Sequence, residues 1–312
     1  MNVLGIDAGG TKTVCFLADG DGNVLGEARS GGASLRAEGE LGVEKVLHSV
    51  MDQALGGRAR DVEAICLGMV GADREAEGAL ARGIMRRIGA GSRVVVVSDA
   101  LVALVAGVGE APGVVIICGT GSMAYGRNAR DQAARAGGWG HVLGDEGSGY
   151  WIGRLALRAV MRASDRRGRE TRLTGKVLAH FGLTEPQQLV REVYHRSLRP
   201  SEIAGVARCV QLAHDEGDGV ASEILRQGAR ELLACANSVV TRLGMQDEAV
   251  SFVLAGGMFQ AVPWLCEELT RRLPDIAARG VVRKLDREPA YGAVLLAIAD
   301  ARGDARLPTY VP

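Results

Sequence analysis

Apolar positions along this chain follow two rhythms, and the points where one gives way to the other predict the order of its elements. The N-terminus begins with Val3-Leu4-Gly5-Ile6-Asp7, Val14-Cys15-Phe16-Leu17 and Val24-Leu25-Gly26-Glu27-Ala28. Glycine-rich turns separate these runs, which predicts three strands joined as antiparallel hairpins. A helical rhythm then occupies residues 40–55 and 75–88, interleaved with strand-like runs at 64–71 and 94–97. The second of these runs is four valines, as suits a strand covered on both faces. A helix over 100–108 follows. Val114-Val115-Ile116-Ile117-Cys118, Gly119-Thr120-Gly121-Ser122 and Met123-Ala124-Tyr125 then repeat the strand, turn and strand of the N-terminus. Helical spacing predominates at 155–164, 175–181, 184–197, 201–215 and 219–243, before a buried strand at 250–255 that ends in Gly256-Gly257. One further strand at 281–285 and an apolar closing helix at 290–299 complete an α/β chain.

Composition narrows this picture. A chain of 312 residues, 47% hydrophobic and 24% charged, can bury a full core, and its length favours two domains. The stretch Glu110-Ala111-Pro112-Gly113 is a candidate hinge. It places one domain at 1–112, completed by a C-terminal helix at about 289–312, and the other at 113–288 with a helical insertion. Lys plus Arg and Asp plus Glu each count 37, so no net field recruits nucleic acid or an anionic membrane. The opening Met1-Asn2-Val3-Leu4 leads straight into a strand, and no apolar run reaches bilayer length, which predicts a cytoplasmic protein. Cys15, Cys66, Cys118, Cys209, Cys235 and Cys266 are dispersed without zinc-ligand spacing and read as buried, reduced thiols.

Candidate chemistry gathers at the glycine-rich segments. Residues 137–153, GGWGHVLGDEGSGYWIG, place seven glycines around one Asp-Glu pair, a density that a core does not need and a ligand surface does. The turn Gly9-Gly10-Thr11-Lys12-Thr13 offers backbone N–H groups and hydroxyls to a phosphate, and Asp7 at the strand end could hold a metal ion through water. A purely structural turn reads equally well from the residues alone. Gly119-Thr120-Gly121-Ser122 repeats the arrangement, which suggests two related domains facing a shared phosphate. Asp99 ends the valine strand, where ligands collect in open α/β sheets, and it also suits the N-cap of the next helix. Gly256-Gly257 lets backbone lie against a flat ring, or simply makes a tight strand-to-helix turn.

Taken together, Gly5-Ile6-Asp7-Ala8-Gly9-Gly10-Thr11-Lys12-Thr13, Ser98-Asp99-Ala100, Gly119-Thr120-Gly121-Ser122, Gly137-Gly138-Trp139-Gly140-His141, Gly144-Asp145-Glu146-Gly147-Ser148, Ala255-Gly256-Gly257 and Ala290-Tyr291-Gly292-Ala293 resemble the N-acetylglucosamine kinase family. That family belongs to the BadF/BadG/BcrA/BcrD-type ATPases of the sugar kinase, heat-shock protein 70 and actin superfamily. The resemblance implies a two-domain, actin-like (ribonuclease H-like) ATPase fold with an interdomain cleft, and ATP and Mg2+ as cofactors. It also implies a homodimer and transfer of phosphate to the 6-hydroxyl of an amino sugar.

Carried onto matching positions, the resemblance implies that Gly9, Gly10, Thr11, Lys12 and Thr13, with Gly119, Thr120, Gly121 and Ser122, contact the phosphates. Asp7 organises magnesium, and Ala204, Gly256 and Gly257 meet the nucleotide. Asp99 is the general base, and Ser34, Gly138, Trp139, Gly140 and Asp145 hold the sugar. His141 takes a packing or hydrogen-bonding role. Ser34 departs from the asparagine of the animal enzymes. That loss of one amide partner leads to the expectation that glucosamine is used at least as well as N-acetylglucosamine. The alternative is an ATPase activator of an acyl-CoA reductase or dehydratase, which would need cysteines on an iron–sulfur cluster, and Cys118 inside a strand is poorly suited to that. A sugar-sensing repressor would need a DNA-binding segment, and none precedes Met1-Asn2-Val3.

Overall fold

In the computed structural model, which describes residues 1–57, 61–89, 92–196 and 198–311, the three N-terminal runs are β1 (Asn2–Ala8), β2 (Lys12–Asp19) and β3 (Val24–Gly31). β1 pairs with β2, and β2 with β3, both antiparallel, as the glycine turns predict. Helix α1 (Leu35–Leu55) leads to β4 (Val62–Met69), parallel to β1. Helix α2 (Glu75–Ile88) leads to β5 (Arg93–Ser98), parallel to β4 and followed at once by α3 (Asp99–Val108). This sheet has the order β3-β2-β1-β4-β5.

The chain continues through β6 (Gly113–Cys118), β7 (Ser122–Arg127) and β8 (Gln132–Gly137) into α4 (Gly149–Ser164) and α5 (Leu173–Phe181). Next come α6 (Gln188–Val190), a π-helical turn Arg191–His195, α7 (Pro200–Gly205), α8 (Ala207–Asp215) and the long α9 (Gly219–Leu243). Strand β9 (Ser251–Ala255), α10 (Met258–Ala261), α11 (Pro263–Arg272), β10 (Val281–Lys284), α12 (Pro289–Arg302) and β11 (Thr309–Tyr310) end it. The second sheet has the order β10-β9-β6-β7-β8-β11.

Two compact units result. The first comprises Met1–Val115, Gly126–Ala133 and Lys284–Pro312, and the second Ile116–Tyr125 and Ala134–Arg283. In the first, Leu4, Ile6, Leu17, Ile65 and Leu67 of the sheet pack with Val43, Leu47 and Met85 of the helices. Its C-terminal helix is held tightly. A Cβ at Gly5 would lie 2.3 Å from the Val294 backbone nitrogen, and one at Gly292 would lie 2.0 Å from the Val102 carbonyl oxygen. Only glycine lets α12 approach β1 and α3 so closely.

Some elements differ from what the pattern predicts. Helix α1 begins at Leu35 instead of residue 40, because Gly39 adopts φ 67° within it and interrupts the regular rhythm. Strand β8, Gln-Ala-Ala-Arg-Ala-Gly, has no β-branched residue and gives no local signal. Helix α4 starts at Gly149, ahead of residue 155 but in step with the helical apolar spacing that already runs through residues 150–157, with the Ser148 hydroxyl accepting from the Trp151 N–H. The predicted helix over 184–197 is broken into α6 and the π-helical turn, and its last position, Ser197, lies outside the described residues. The helix expected over 201–215 divides between Gly205 and Ala207 into α7 and α8. Cys15, Cys66, Cys118, Cys209 and Cys266 are buried and Cys235 is half-buried, all of them free.

Candidate active site

In the first unit, β1 brings Asp7 to the edge of the glycine turn. Its carboxyl is buried, only 7% exposed, and accepts no hydrogen bond from the described residues. Burial first, and then the Asp99 charge, push its pKa up to about 7, with Lys12 opposing. A buried carboxylate with no hydrogen-bond donor calls for a cation, and a magnesium ion bound through one carboxylate, water and substrate phosphates suits it. No group of three or more His, Cys, Asp or Glu side chains that could hold a metal ion gathers among the described residues.

The turn after Asp7 is closed by Gly9 N–H donating to the Lys12 carbonyl, and Gly10 leaves open space where a side chain would stand. Thr11 is exposed there. Thr13 is different, because its hydroxyl donates to the Gly31 carbonyl at 2.8 Å and ties β2 to β3. Lys12 reaches Glu288 at 2.7 Å, and Arg29 holds the other oxygen of the same carboxylate, also at 2.7 Å. Lys12 and Arg29 thereby keep Glu288 ionised, below its usual range despite partial burial.

Ser34 sits beside this turn. Ala33 N–H donates to the Gly9 carbonyl, and a Cβ at Gly32 would lie 2.4 Å from the Gly10 carbonyl oxygen. Ser34 is the N-cap of α1, yet its side chain makes no capping hydrogen bond. A serine at that position normally uses its hydroxyl on the helix, so this one remains available to a ligand. Asp99 is the first residue of α3, and the cap is Ser98, whose hydroxyl accepts from Ala100 N–H. The Asp99 carboxylate also accepts from Ala100 N–H at 3.0 Å and from the Ser98 hydroxyl at 3.3 Å. Burial outweighs these donors and pushes its pKa up to about 6.

The second unit gathers the remaining glycine segments. β6 ends in the turn at Gly119, whose carbonyl accepts from Gly149 N–H, while the Thr120 carbonyl accepts from Tyr150 N–H. The first N–H groups of α4 thus find partners in that turn. The Ser122 hydroxyl is engaged with the Glu146 carbonyl at 2.7 Å. Asp145 lies across the turn: a Cβ at Gly121 would come 2.7 Å from its Oδ2. Its carboxylate accepts from Gly140 N–H at 3.2 Å and also from the Ser122 N–H, although burial still raises its pKa. Asp145 holds a left-handed φ of 57°, which for a non-glycine residue marks a strained, purposeful position.

Beside it Trp139 is 54% exposed, with the Arg135 guanidinium 4.4 Å from its ring centre. An open aromatic face next to a buried carboxylate suits a sugar, whose C–H faces stack while its hydroxyls donate. Gly138 and Gly140 both take positive φ, which shapes this loop. His141 packs edge-on to Tyr150 at 4.9 Å, the packing role expected of it.

Gly256, at φ 110°, follows β9, and a Cβ there would meet the Cys118 carbonyl oxygen at 2.2 Å. Gly257 borders a cavity of about 440 Å3 lined by Arg208, Gln211, Leu212, Gln260, Ala261 and Pro263. Ala204 is buried against the start of α4, 3.0 Å from where a Cβ on Gly149 would stand. The sequence singles out Gly257 but none of the side chains around this cavity. They come from α8, α10 and the start of α11, where helical spacing alone marks no ligand.

Two sheets of mixed α/β build, with acids and glycine turns at the strand ends, define the actin-like ATPase fold of the sugar kinases. A protein from Chromobacterium violaceum assigned as an N-acetylglucosamine kinase shares it, with a TM-score of 0.73 at 27% identity over 95% of this chain and 98% of that one. A glucokinase from Streptomyces griseus, solved with glucose and AMPPNP, has the same fold at a TM-score of 0.58 and 18% identity, over 97% of this chain and 100% of that one. The family model of the BadF/BadG/BcrA/BcrD ATPases matches residues 4–297, and the chain belongs to that family. It is 36% identical to the N-acetylmuramic acid/N-acetylglucosamine kinase of Clostridium acetobutylicum, over 95% of this chain and 97% of that one. It is 32% identical to the N-acetyl-D-glucosamine kinase of Dictyostelium discoideum over the same shares of the two chains, 95% and 97%.

Proposed function

We propose that this chain is a kinase that transfers the γ-phosphoryl group of ATP to the 6-hydroxyl of an amino sugar, N-acetylglucosamine or glucosamine. The observation that carries it is the pair of acids at the ends of β1 and β5, Asp7 and Asp99, close enough for the charge of one to raise the other. Phosphoryl transfer asks for such a division of labour, with one carboxylate for the metal and one for the proton.

Asp99 accepts the proton of the sugar 6-hydroxyl as that oxygen attacks the γ-phosphorus and the bond to the bridging oxygen of ADP breaks. The Gly9-Gly10 turn of the first unit, with the Thr11 hydroxyl, and the Gly119-Gly121 turn of the second, with the Thr120 hydroxyl, each offer backbone and side-chain donors to a phosphate. Asp7 would hold magnesium through water, and the ion when bound supplies charge neutralisation on the phosphates. Asp145 accepts hydrogen bonds from sugar hydroxyls, with Trp139 under the ring and the unengaged Ser34 hydroxyl at the amino substituent. The nucleoside occupies the cavity beside Gly257.

The activator reading is less well supported. Cys118 donates to the Gly147 carbonyl, and burial pushes its thiol up to about 12, the opposite of what a cluster-ligating thiolate needs. No helix among the described residues is long and apolar enough to cross a membrane. A homodimer in solution belongs to the same proposal, and sedimentation showing a concentration-independent monomer would remove it.

The test is a coupled ADP-release assay over amino sugars and hexoses, with phosphorus NMR to locate the ester. We expect glucosamine and N-acetylglucosamine to turn over and plain hexoses to be poorer, with Ser34→Asn shifting preference about three- to tenfold toward the acetylated sugar. Turnover of no amino sugar would refute the kinase reading. A strong preference for the acetylated sugar that Ser34→Asn leaves unchanged would refute the part given to Ser34.

A further inference from the structure

The cavity beside Gly257 has an unusual balance of committed and uncommitted polar groups. Its walls are two helical faces, Arg208, Gln211 and Leu212 from α8 and Gly257, Gln260 and Ala261 at α10, with Pro263 completing them. Gln211 is buried and held at both ends of its amide: its Nε2 donates to Asp215 at 2.7 Å and its Oε1 accepts from Trp264 N–H at 3.2 Å. Gln260 is exposed, and its side-chain amide makes no hydrogen bond to the described residues. Arg208 is likewise exposed, and among the described residues no carboxylate is paired to it and no acid lines the cavity. Leu212, Ala261 and Pro263 supply apolar wall. The cavity also adjoins the strand that carries the phosphate turn, since Gly256 closes against Cys118 at the end of β6.

On the reading of this chain as an ATP-dependent kinase, we propose that Gln260 binds the base edge of the phosphoryl donor and accepts adenine and guanine alike, so that the preference among purines is weak. Leu212, Ala261 and the flat Arg208 guanidinium hold a base by area and stacking, which any purine satisfies. Among the described residues of this lining, Gln260 is the uncommitted side chain that offers both a donor and an acceptor. Adenine presents an acceptor beside an amino donor, guanine a carbonyl acceptor beside an N–H donor. An amide turned by half a revolution matches either edge, so one rotatable group reads both bases and rejects neither. Strong discrimination requires a site whose fixed polar groups are left unpaired by the wrong base, and the fixed amide here, Gln211, already has its partners inside the protein.

The consequence is binding of purine nucleotides with little regard to base, readable without turnover. Titration calorimetry with magnesium should give dissociation constants for ADP and GDP within about tenfold of each other, the span of one neutral hydrogen bond. Gln260→Ala should weaken both by about three- to tenfold and leave their ratio near that of the wild type. Gln260→Glu makes the group acceptor-only: it can receive two N–H donors from guanine but faces a lone pair on adenine, so the ratio should move about tenfold or more toward GDP. Specificity constants for ATP and GTP in the sugar assay should follow the same order. An ADP preference above about tenfold in the wild type, a ratio unmoved by Gln260→Glu, or binding of neither nucleotide overturns the proposal. If nucleotide binding follows the expected pattern while no amino sugar is phosphorylated, the kinase reading fails and the role of Gln260 stands. If sugars are phosphorylated with ATP alone, the reverse holds.

Discussion

Asp99 and Asp7 are raised for the same physical reason, burial of a carboxylate, yet their chemistry differs because their neighbours differ. Asp99 keeps two donors, Ala100 N–H and the Ser98 hydroxyl, so burial lifts it only to about 6 and it is ionised at neutral pH. A base must be deprotonated to act, so kcat/KM should fall about tenfold per pH unit once pH drops below about 6. Asp99→Asn should abolish that limb and lower turnover by about two orders of magnitude or more, while ADP binding measured calorimetrically persists. Near-normal turnover in the variant would remove Asp99 from the mechanism.

Asp7 has no donor among the described residues, and its folded pKa of about 7 lies above the ordinary aspartate value of 3.8. The folded state therefore holds that proton more tightly than the unfolded chain. The resulting stability penalty grows as pH rises between those two values and is complete above the higher one. Metal-free Asp7→Asn should accordingly melt a few degrees above the wild type near pH ~8, with the gap closing near pH ~4, and should lose magnesium-dependent turnover. A variant that melts below the wild type at the higher pH would contradict this account of Asp7.

At the scale of elements, the turn between β6 and β7 and the loop before α4 act as one device. Ser122 Oγ holds the Glu146 carbonyl, Gly119 and Thr120 cap α4, and the Asp145 carboxylate rests over Gly121. Gly121→Ala would place a methyl group 2.7 Å from Asp145 Oδ2. The obstacle is a side-chain oxygen and not backbone, so the carboxylate can swing aside, at the cost of its bonds from Gly140 and Ser122 N–H. The sugar KM should rise about tenfold, as expected for losing a charge-assisted hydrogen bond, with a loss of stability of about 1–3 kcal/mol and the fold retained. Unaltered sugar KM with intact fold would mean that Asp145 does not contact the sugar. Within the first unit, Lys12 and Arg29 share Glu288 at the N-terminus of α12, an exposed network worth little to stability. It fixes where the Lys12 ammonium stands beside the turn.

At the scale of the whole molecule, the last helix completes the first unit, and two glycines permit it. Gly292→Ala would drive a methyl group to 2.0 Å of the Val102 carbonyl oxygen, which is backbone and cannot swing away. Overpacking of this kind costs about 1–3 kcal/mol or more, so the melting temperature should drop by several degrees and activity at moderate temperature should fall with the folded fraction. Calorimetry of Gly292→Ala beside an exposed control such as Gly175→Ala, where nothing lies within 4 Å, separates packing from helix propensity. Equal melting of the two variants would count against the close packing of α12.

The sequence alone determined the elements whose signal is local: the antiparallel start from β1 to β3, the valine strand β5, α2 to the residue, and the long α9. It also marked the glycine turns and Asp99, because glycine density and an acid at a strand end are visible within a few residues. Strand β8 was invisible, since six small or polar residues become a strand only when a neighbouring strand supplies the hydrogen bonds. The tertiary structure alone decided which polar groups are engaged. Thr13 and Ser122 turn their hydroxyls to backbone carbonyls, Ser34 keeps its own, and Gln211 is occupied while Gln260 is not. Apart from Asp215, one helical turn from Gln211, those partners lie far apart in sequence, and a hydrogen bond between them exists only after the chain has closed, so no short window of residues can encode it.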